Sequence, residues 1–351
     1  MDAGGATKGT ALAALLDDEL GYDATTTTRL SNHLPMALVA LQRLGASDDR
    51  LIEFADRYRS RLAPLEFAEP VGSFDAWLTA RGQRAAYGPV REYLGPLLDA
   101  EGVEPVVRRH LPHLVDGLSG AAFHGLIRLA YALESASPAR VAAGLAYLTQ
   151  VHQPLGDLGH GTGVTDDPLV ALRRLSDVTV LQHVSADGNI GERMRQVATH
   201  PAFAGVVDWL VVTSDTPRRL TGAAVALYAA TDDFTALHGV TASHAIAIVS
   251  PFVEDTEALS SWWFQALAAA YVTIGAPGLD DPAAPVRPWL EDPAPWDEVV
   301  RAGTLSDDEH VVKLVYSARA LHEHAANPLL LAAAARQAGI EPEHIDPGDD
   351  T

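Results

Sequence analysis

The chain has 351 residues, no cysteine and a formal net charge of −21 at pH 7. The negative charge argues against nucleic acid or an anionic membrane as a partner, because both bind basic surfaces. The absence of cysteine excludes disulfides, thiolate metal ligands and cysteine nucleophiles. No secretion signal is visible at the start and no apolar run is long enough to cross a bilayer, so we expect a soluble cytoplasmic protein.

Apolar residues recur at helical spacing along the chain, and Ser, Asp or Pro stands at the start of many of these segments. Alternating patterns are scarce, and the best candidate for a strand is Val178–Leu181. The pattern predicts an all-α protein with a single multi-helical domain over residues 1–351, flexible at about 1–10 and 340–351. The predicted helices are Leu12–Leu20, Leu34–Leu44, Leu51–Leu62, Phe74–Ala86, Val90–Leu98, Val106–Leu118, Ala121–Ala136, Ala139–Gln150, Asp167–Leu175, Gly191–Thr199, Phe203–Val212, Arg218–Ala230, Phe234–Val249, Thr256–Ile274, Trp289–Ala302, Ser306–Ala325 and Pro328–Ala338.

Two segments interrupt the helical pattern, a glycine-rich stretch at Gly156–Gly163 and a proline-rich one at Ala276–Trp296. The glycine-rich stretch lacks the G-x-G-x-x-G spacing, a preceding βαβ pattern and the P-loop lysine. We interpret it as a connecting or lid loop in preference to a phosphate site. No flavin or NAD(P) fingerprint appears elsewhere in the chain.

Lysine is nearly absent, and Lys313 stands in an apolar helical stretch while the other lysine, Lys8, lies in a Gly/Ala/Thr-rich leader. Lys313 follows His310 by three residues, so on a helix the two side chains share a face. Burial favours the neutral amine of a lysine. Such an amine can act as a base, form an imine, or take up CO2 to become a carbamate that binds metal as a carboxylate does. The alternative is a lysine that extends to solvent at a helix edge.

Histidine is the obvious source of metal ligands, since 14 are present and cysteine is absent. Four of them, His33, His124, His238 and His310, lie on four separate apolar helical segments, and we expect their side chains to converge on a buried central metal site. A purely structural role for each remains the alternative. His244 lies about 240° around the helix from His238 and is expected to face elsewhere. His110, His113, His200, His322 and His324 are expected to be exposed.

Four blocks of this sequence together resemble the questin oxidase family. They are Asn32-His33 before an aliphatic helix, Phe123-His124-Gly125-Leu126-Ile127, His238-Gly239-Val240-Thr241, and Asp307-Asp308-Glu309-His310-Val311-Val312-Lys313-Leu314. Their order and wide spacing match over about residues 31–320. Fungal members of that family open anthraquinone rings or perform related Baeyer–Villiger-like oxidations in aromatic polyketide pathways. At the position of Arg128, fungal members tend to carry a further histidine.

The resemblance implies a non-haem iron centre in which His33, His124, His238 and His310 are ligands together with a carboxylated Lys313. It also implies, for Thr241, a hydrogen bond to the CO2-derived carbamate as a supporting group. Imidazoles with one hard anionic oxygen suit Fe(II). A catalytic contact is also predicted for Tyr131, which follows His124 on the same helix. The aromatic run Trp262–Phe264 is interpreted either as a wall for a planar substrate or as core.

Three functional hypotheses follow. The first is an iron-dependent oxygenase, monooxygenase or dioxygenase, that acts with O2 on a small aromatic polyketide in secondary metabolism. The second is a zinc or nickel hydrolase with a carbamylated lysine. The third is a non-catalytic helical binding protein that holds no metal. The bound metal distinguishes the three.

Overall fold

The computed structural model describes residues 10–159, 163–178, 180–181 and 187–342. Within these ranges the prediction of a single all-α domain is confirmed. The terminal segments predicted to be flexible lie mostly outside the described residues. The elements are α1 (Thr10–Glu19), β1 (Tyr22–Thr26), α2 (Leu34–Arg43), α3 (Asp48–Tyr58), β2 (Leu62–Pro64), α4 (Phe74–Ala80), α5 (Tyr87–Glu101), α6 (Val103–His110), α7 (His124–Glu134), α8 (Pro138–Gln150), α9 (Pro168–Ser176), α10 (Ile190–Thr199), α11 (Thr216–Thr231), α12 (Phe234–Val249), α13 (Thr256–Thr273), α14 (Arg287–Glu291), α15 (Trp296–Leu305), α16 (Glu309–His324) and α17 (Pro328–Gln337).

Side-chain caps define where many of these helices begin. Ser47 accepts a hydrogen bond from the backbone N–H of Arg50 at the start of α3. Asp233 does the same for α12, and the Asp308 carboxylate accepts from the backbone N–H of His310 in α16. Each cap satisfies an amide that the first helical turn leaves unpaired, which is worth about 1 kcal/mol. None of the described helices is both long and apolar enough to cross a membrane.

Four helices form a closed ring in the middle of the protein. Helix α2 packs against α7 and α16, and α12 packs against the same two helices from the other side. Helix α12 is buried around nearly its whole circumference between Thr235 and Ile246, as expected for a helix with no solvent-facing side. The ring matters for function because each of its helices carries one of the four predicted histidine ligands.

Two glycines let α7 and α8 lie unusually close. A Cβ at Gly125 would stand 2.9 Å from the Cα of Leu148, and one at Gly144 would stand 2.8 Å from the Cα of Leu129. Backbone cannot retreat as a flexible side chain can, so an alanine at either position would force the helices apart. This contact holds α7 in place just after its first residue, His124.

Within the described residues, the sheet is a short antiparallel pair that the sequence pattern did not predict. Strand β1 pairs with β2 with Tyr22 opposite Pro64 and Thr26 opposite Leu62. The run of threonines at Thr25–Thr28 was its only signal, because β-branched residues favour strands. The prediction of a strand at Val178–Leu181 is wrong for the part of it that the structure describes. There the backbone N–H of Leu181 donates to the carbonyl of Val178, which is the hydrogen bond of a tight turn.

Several predicted helices are shorter than expected. No α-helix occupies Phe203–Val212, where two single 3₁₀ turns lie on either side of Gly205. The helix predicted at Trp289–Ala302 divides into α14 and α15 at prolines 293 and 295, which cannot donate helical hydrogen bonds. Helix α4 ends at Ala80 because Gly82 turns the chain with a φ of 71°. Gly156–Gly159 and Gly163 lie in irregular backbone, as predicted for a loop, and residues 160–162 lie outside the described ranges.

Candidate metal centre

The four predicted histidines meet at one end of the helix ring. His33 precedes the first turn of α2, His124 is the first residue of α7, and His310 is the second residue of α16. Ring centroids are 4.5 Å apart for His33 and His124, and 4.7 Å apart for His33 and His310. His238 is 4.7 Å from His124 and 5.5 Å from His310 by the same measure. Among the described residues, the potential ligand nitrogens that lie within 4.8 Å of one another are those of His33, His124 and His310, and two metal–nitrogen bonds together span about 4 Å.

Three of the rings have Nδ1 hydrogen-bonded to an oxygen of the protein. Nδ1 of His124 bonds the carbonyl of Ala121 at 2.5 Å, and Nδ1 of His238 bonds the carbonyl of Phe234 at 2.7 Å. Nδ1 of His310 lies 3.1 Å from the carboxylate of its capping residue.

Because carbonyl and carboxylate oxygens only accept, each Nδ1 carries the proton. Each Nε2 therefore keeps its lone pair, and none of the three has a partner among the described residues although all are buried. Metal-binding histidines have this arrangement, with one nitrogen held by protein and the other free for the ion.

Lys313 lies next to His33 in the cluster. Its Nζ lies 3.3 Å from Nδ1 of His33, and the side chain is 1% exposed. Burial lowers the pKa of Lys313 to about 8. The carboxylate of Glu309 lies 3.6 Å from the same His33 nitrogen. Glu309 was missed as a site residue, although it stands within the Asp307–Leu314 block of the sequence.

The electrostatic environment opposes protonation of the imidazoles. Burial lowers the pKa of His238 to about 3, with the charge of Lys313 adding to the effect. Burial also lowers the pKa values of His33 and His124 well below their ordinary range. The N-terminal ends of α2, α7 and α16 point at the cluster, and helix N-termini disfavour added positive charge on a ring while favouring an anion. Neutral imidazoles are the form that binds a metal ion.

A left-handed turn sets the position of His124. Ala121, Ala122 and Phe123 have φ values of 50°, 54° and 68°, in the region that residues with a Cβ avoid. Each such residue costs about 1–2 kcal/mol. The turn places the carbonyl of Ala121 against the His124 ring, so the strained backbone supplies the acceptor that orients this imidazole. The predicted helix Ala121–Ala136 therefore begins three residues later than expected.

A buried ion pair that was not predicted from the sequence lies next to Asn32, the residue before His33. Arg128 donates to the carboxylate of Glu19 at 2.7 Å, and both side chains are 3% exposed. The side-chain amide of Asn32 donates to the same carboxylate oxygen at 2.9 Å. The backbone N–H of His33 donates to the hydroxyl of Tyr58 at 2.9 Å. Together these bonds hold the chain at Asn32 and at the backbone N–H of His33, and Glu19, as one acid in a predicted helix, carried no signal of this role.

An open cavity of about 820 Å³ leads to the cluster, and all four histidines line it. Phe234 lies beside them, with its ring centroid 4.7 Å from those of His238 and His310. The turn after β1 and Tyr147 also line the cavity, and the Tyr147 hydroxyl shares a 2.6 Å hydrogen bond with Ser31. The cavity is large enough for a small aromatic molecule, since ligand pockets span about 300–1,000 Å³.

The remaining predicted site residues lie farther along the ring helices. The hydroxyl of Thr241 donates to the carbonyl of His238 at 3.1 Å. The hydroxyl of Tyr131 lies 3.4 Å from that of Ser317, which follows Lys313 by one helical turn. Neither residue lines the cavity, and a catalytic role for either stays a prediction.

Other sequence expectations have mixed outcomes. His244 faces away from the cluster, as expected, and packs against Tyr316 at 5.0 Å between ring centroids. Trp263 and Phe264 are core residues and do not line the cavity. The prediction that His110 is exposed is wrong. It is fully buried against Trp77, with Nδ1 bonded to a backbone carbonyl, because α6 turns this face inward.

The donor set fits a metal ion. The nitrogens of His33, His124 and His310 that could bind one all lie within 4.8 Å of one another. Glu309 and the Asp308 carboxylate add oxygen atoms close to His310. Buried imidazole lone pairs without partners and nearby carboxylates are the donors that suit divalent first-row metals.

The fold and the site together define an all-α protein with a buried histidine cluster that could hold a metal ion at the end of an open cavity. The sequence profile of the family described as Questin oxidase-like matches residues 30–318. The match covers most of the chain and all five predicted ligands, and the chain belongs to this family. A comparison with curated proteins gives no match.

Membership in this family supports the assignment of the protein as an oxidoreductase and, in general terms, as an oxygenase of polyketide metabolism.

Proposed function

We propose that the protein is a non-haem iron-dependent oxygenase that uses O2 to cleave an aromatic polyketide, or to oxidise it in a Baeyer–Villiger-type reaction, in secondary metabolism. The observation that carries the proposal is the set of three buried Nε2 lone pairs, on His124, His238 and His310, that have no partner in the described part of the chain. Leaving a buried polar atom unpaired costs about 1–3 kcal/mol, and a bound ion would remove that cost at all three. A cytoplasmic location remains the expectation from the sequence.

In this proposal His33, His124, His238, His310 and Lys313 hold the iron. Fe(II) in such a site supplies the electrons that activate O2. The chain contributes ligand geometry, because the backbone carbonyls of Ala121 and Phe234 fix the proton on Nδ1 of two rings and leave Nε2 free. Four neutral imidazoles add no charge, so an anionic oxygen would balance the ion.

Lys313 would provide that oxygen as a carbamate. The neutral amine of Lys313 attacks the carbon of CO2, a C–N bond forms, and one N–H proton leaves. The lowered pKa of Lys313 favours the neutral amine. The departing proton leaves to solvent, because burial opposes a charge on the His33 imidazole, whose Nδ1 lies 3.3 Å from Nζ. The hydroxyl of Thr241 would then turn from the His238 carbonyl towards the new carboxylate.

The cavity would hold the substrate beside the cluster. Phe234 offers a ring edge next to His238 and His310, against which a planar aromatic body can pack. Tyr58 and Tyr147 line the same space. Burial raises the pKa values of both phenols to about 12, so each remains a neutral hydroxyl at pH 7 and can donate to a quinone oxygen. Tyr131 would act indirectly, through the contact of its hydroxyl with Ser317, which lies on the same helix as Lys313.

The test is the metal content and O2 uptake of protein purified without oxygen. We expect about one iron per chain, loss of turnover with a hydroxylated anthraquinone after chelation, and recovery with Fe(II) without added flavin. Zinc or nickel as the native metal would favour a hydrolase, and activity of fully metal-free protein would refute the proposal.

The chain offers a matched control for histidine variants. His110 and His124 are both buried, both bond a backbone carbonyl through Nδ1 and both have an unpaired Nε2, but His110 packs among aromatic residues away from the cluster. His124→Gln should lose iron while His110→Gln retains it. Equal iron content in the two variants would contradict a site at the cluster.

A further inference from the structure

The cavity that leads to the histidines has the opposite charge balance from the rest of the chain. Its described lining contains four arginines, Arg29, Arg61, Arg84 and Arg193, and one acidic residue, Glu309. The whole chain has 46 acidic residues against 25 basic ones. A lining drawn at random from this composition would be acidic, so the cavity concentrates positive charge in an otherwise negative protein.

Most arginines of this protein form an ion pair with a carboxylate, but most of the arginines that line the cavity do not. Within the described part of the chain, thirteen arginines have an ion pair with a carboxylate. Of the four that line the cavity, Arg61 alone has one there, with Glu309 at 3.2 Å. Arg193 donates to the backbone carbonyl of Thr273. Arg29 and Arg84 have no ion pair with any described carboxylate, so their charges are available to a ligand.

The arginines and the histidines lie at different ends of the cavity. Arg29, Arg61 and Arg84 are exposed, whereas His33, His124 and His238 are buried. The arginines come from different segments: the turn after β1, the connection between α3 and β2, the loop after α4, and helix α10. The cavity therefore has imidazoles at its inner end and guanidinium groups around its mouth.

We infer that the cavity takes an aromatic substrate that bears a carboxylate, with the ring system against the histidines and the carboxylate held at the mouth by Arg29 and Arg84. A guanidinium binds a carboxylate through two parallel charge-assisted hydrogen bonds, which an amide or ester cannot match. This inference rests on the proposed function for the identity of the ring system. It adds a substituent that the histidine cluster alone does not require.

The test is a binding comparison in metal-free protein, with no turnover. The probes are anthraquinone-2-carboxylate and the corresponding carboxamide, titrated against tryptophan fluorescence at low and high salt. We expect the carboxylate to bind about tenfold more tightly than the carboxamide, consistent with one charge-assisted interaction. High salt should reduce this preference, because the arginines at the mouth are exposed.

The variants are Arg29→Gln, Arg84→Gln and their combination, with Arg301→Gln as control. Arg301 is exposed, has no ion pair with a described residue and does not line the cavity. The combined variant should bind carboxylate and carboxamide equally, and the control should keep the full preference. Equal affinities in the unaltered protein, no binding of the carboxylate, or a combined variant that weakens both probes equally would each overturn the inference. None of these outcomes bears on iron content, so failure here is distinguishable from failure of the oxygenase proposal.

Discussion

Removal of one partner of the buried pair of Glu19 and Arg128 should destabilise this protein far more than the distance between the two groups alone implies. Glu19 accepts from Arg128 and from Asn32 in a region that is 3% exposed or less. Glu19→Gln keeps the shape but removes the negative charge, and this leaves the Arg128 cation buried without a counter-charge. Loss of one partner of such a pair costs about 3–5 kcal/mol, a large part of the ~5–15 kcal/mol that stabilises a typical domain.

The same helix supplies a matched control. Asp17 of α1 pairs with Arg140 at 2.9 Å, but the Asp17 side chain is 66% exposed. Asp17→Asn should therefore cost about 0–1 kcal/mol. Urea unfolding of the metal-free variants, with free energies of unfolding extrapolated to water, compares the two. Similar costs for Glu19→Gln and Asp17→Asn would refute the argument from burial.

A second pair of variants separates the ion pair from packing. Replacing Glu19 and Arg128 together by Met removes both charges, and such replacements are often neutral or stabilising by about 1–4 kcal/mol. The double variant should therefore fold, yet it no longer holds Asn32 beside His33. We expect its affinity for Fe(II) to fall about tenfold or more, as when supporting groups of a metal ligand are lost. Unchanged iron affinity would show that the pair does not position His33.

Three further predictions concern other residues. Burial lowers the pKa of His244 to about 4, so His244 is protonated in the unfolded chain, below about pH 6.5, before it is protonated in the folded protein. Between pH 7 and pH 5 this difference should lower the free energy of unfolding of the metal-free protein by about 2 kcal/mol. The His244→Phe variant should lack this component of the pH dependence. Lys313→Arg should stay folded but lose most of its iron, with partial recovery in Lys313→Glu, as measured by elemental analysis; full iron content in Lys313→Arg would assign the lysine a packing role only. Ala136 ends α7 with a φ of 51° and is exposed, so Ala136→Gly should raise the free energy of unfolding by about 1 kcal/mol; a decrease would contradict the left-handed strain.

Local patterns in the sequence carried most of the secondary structure. Helical periodicity and caps such as Ser47 and Asp233 are short-range features, so α3 and α12 begin within a few residues of their predicted starts. The predictions of secondary structure were wrong where contacts between distant segments determine the local conformation. The pairing of β1 with β2 joins segments about forty residues apart, and the turn at Ala121–Phe123 is stable only because the surrounding protein holds it.

The same difference between local patterns and contacts of distant segments holds for the candidate site. The isolation of Lys313, the histidines in apolar helical stretches and the spacing of His310 from Lys313 follow from the sequence, because burial and helix faces are periodic properties. Sequence alone also identified the family through four ordered blocks, which the profile match confirmed. It assigned no role to Glu19, and it misjudged His110, whose apolar neighbours come from distant segments.

Tertiary structure alone decided two features: the distances between the four imidazoles and the positive mouth of the cavity. The physical reason is that each depends on distances between segments up to about 280 residues apart in the chain, such as His33 and Lys313 at 3.3 Å. A residue's type and its periodic neighbours set whether it is buried. Which buried group it meets is set by how the four helices close into a ring.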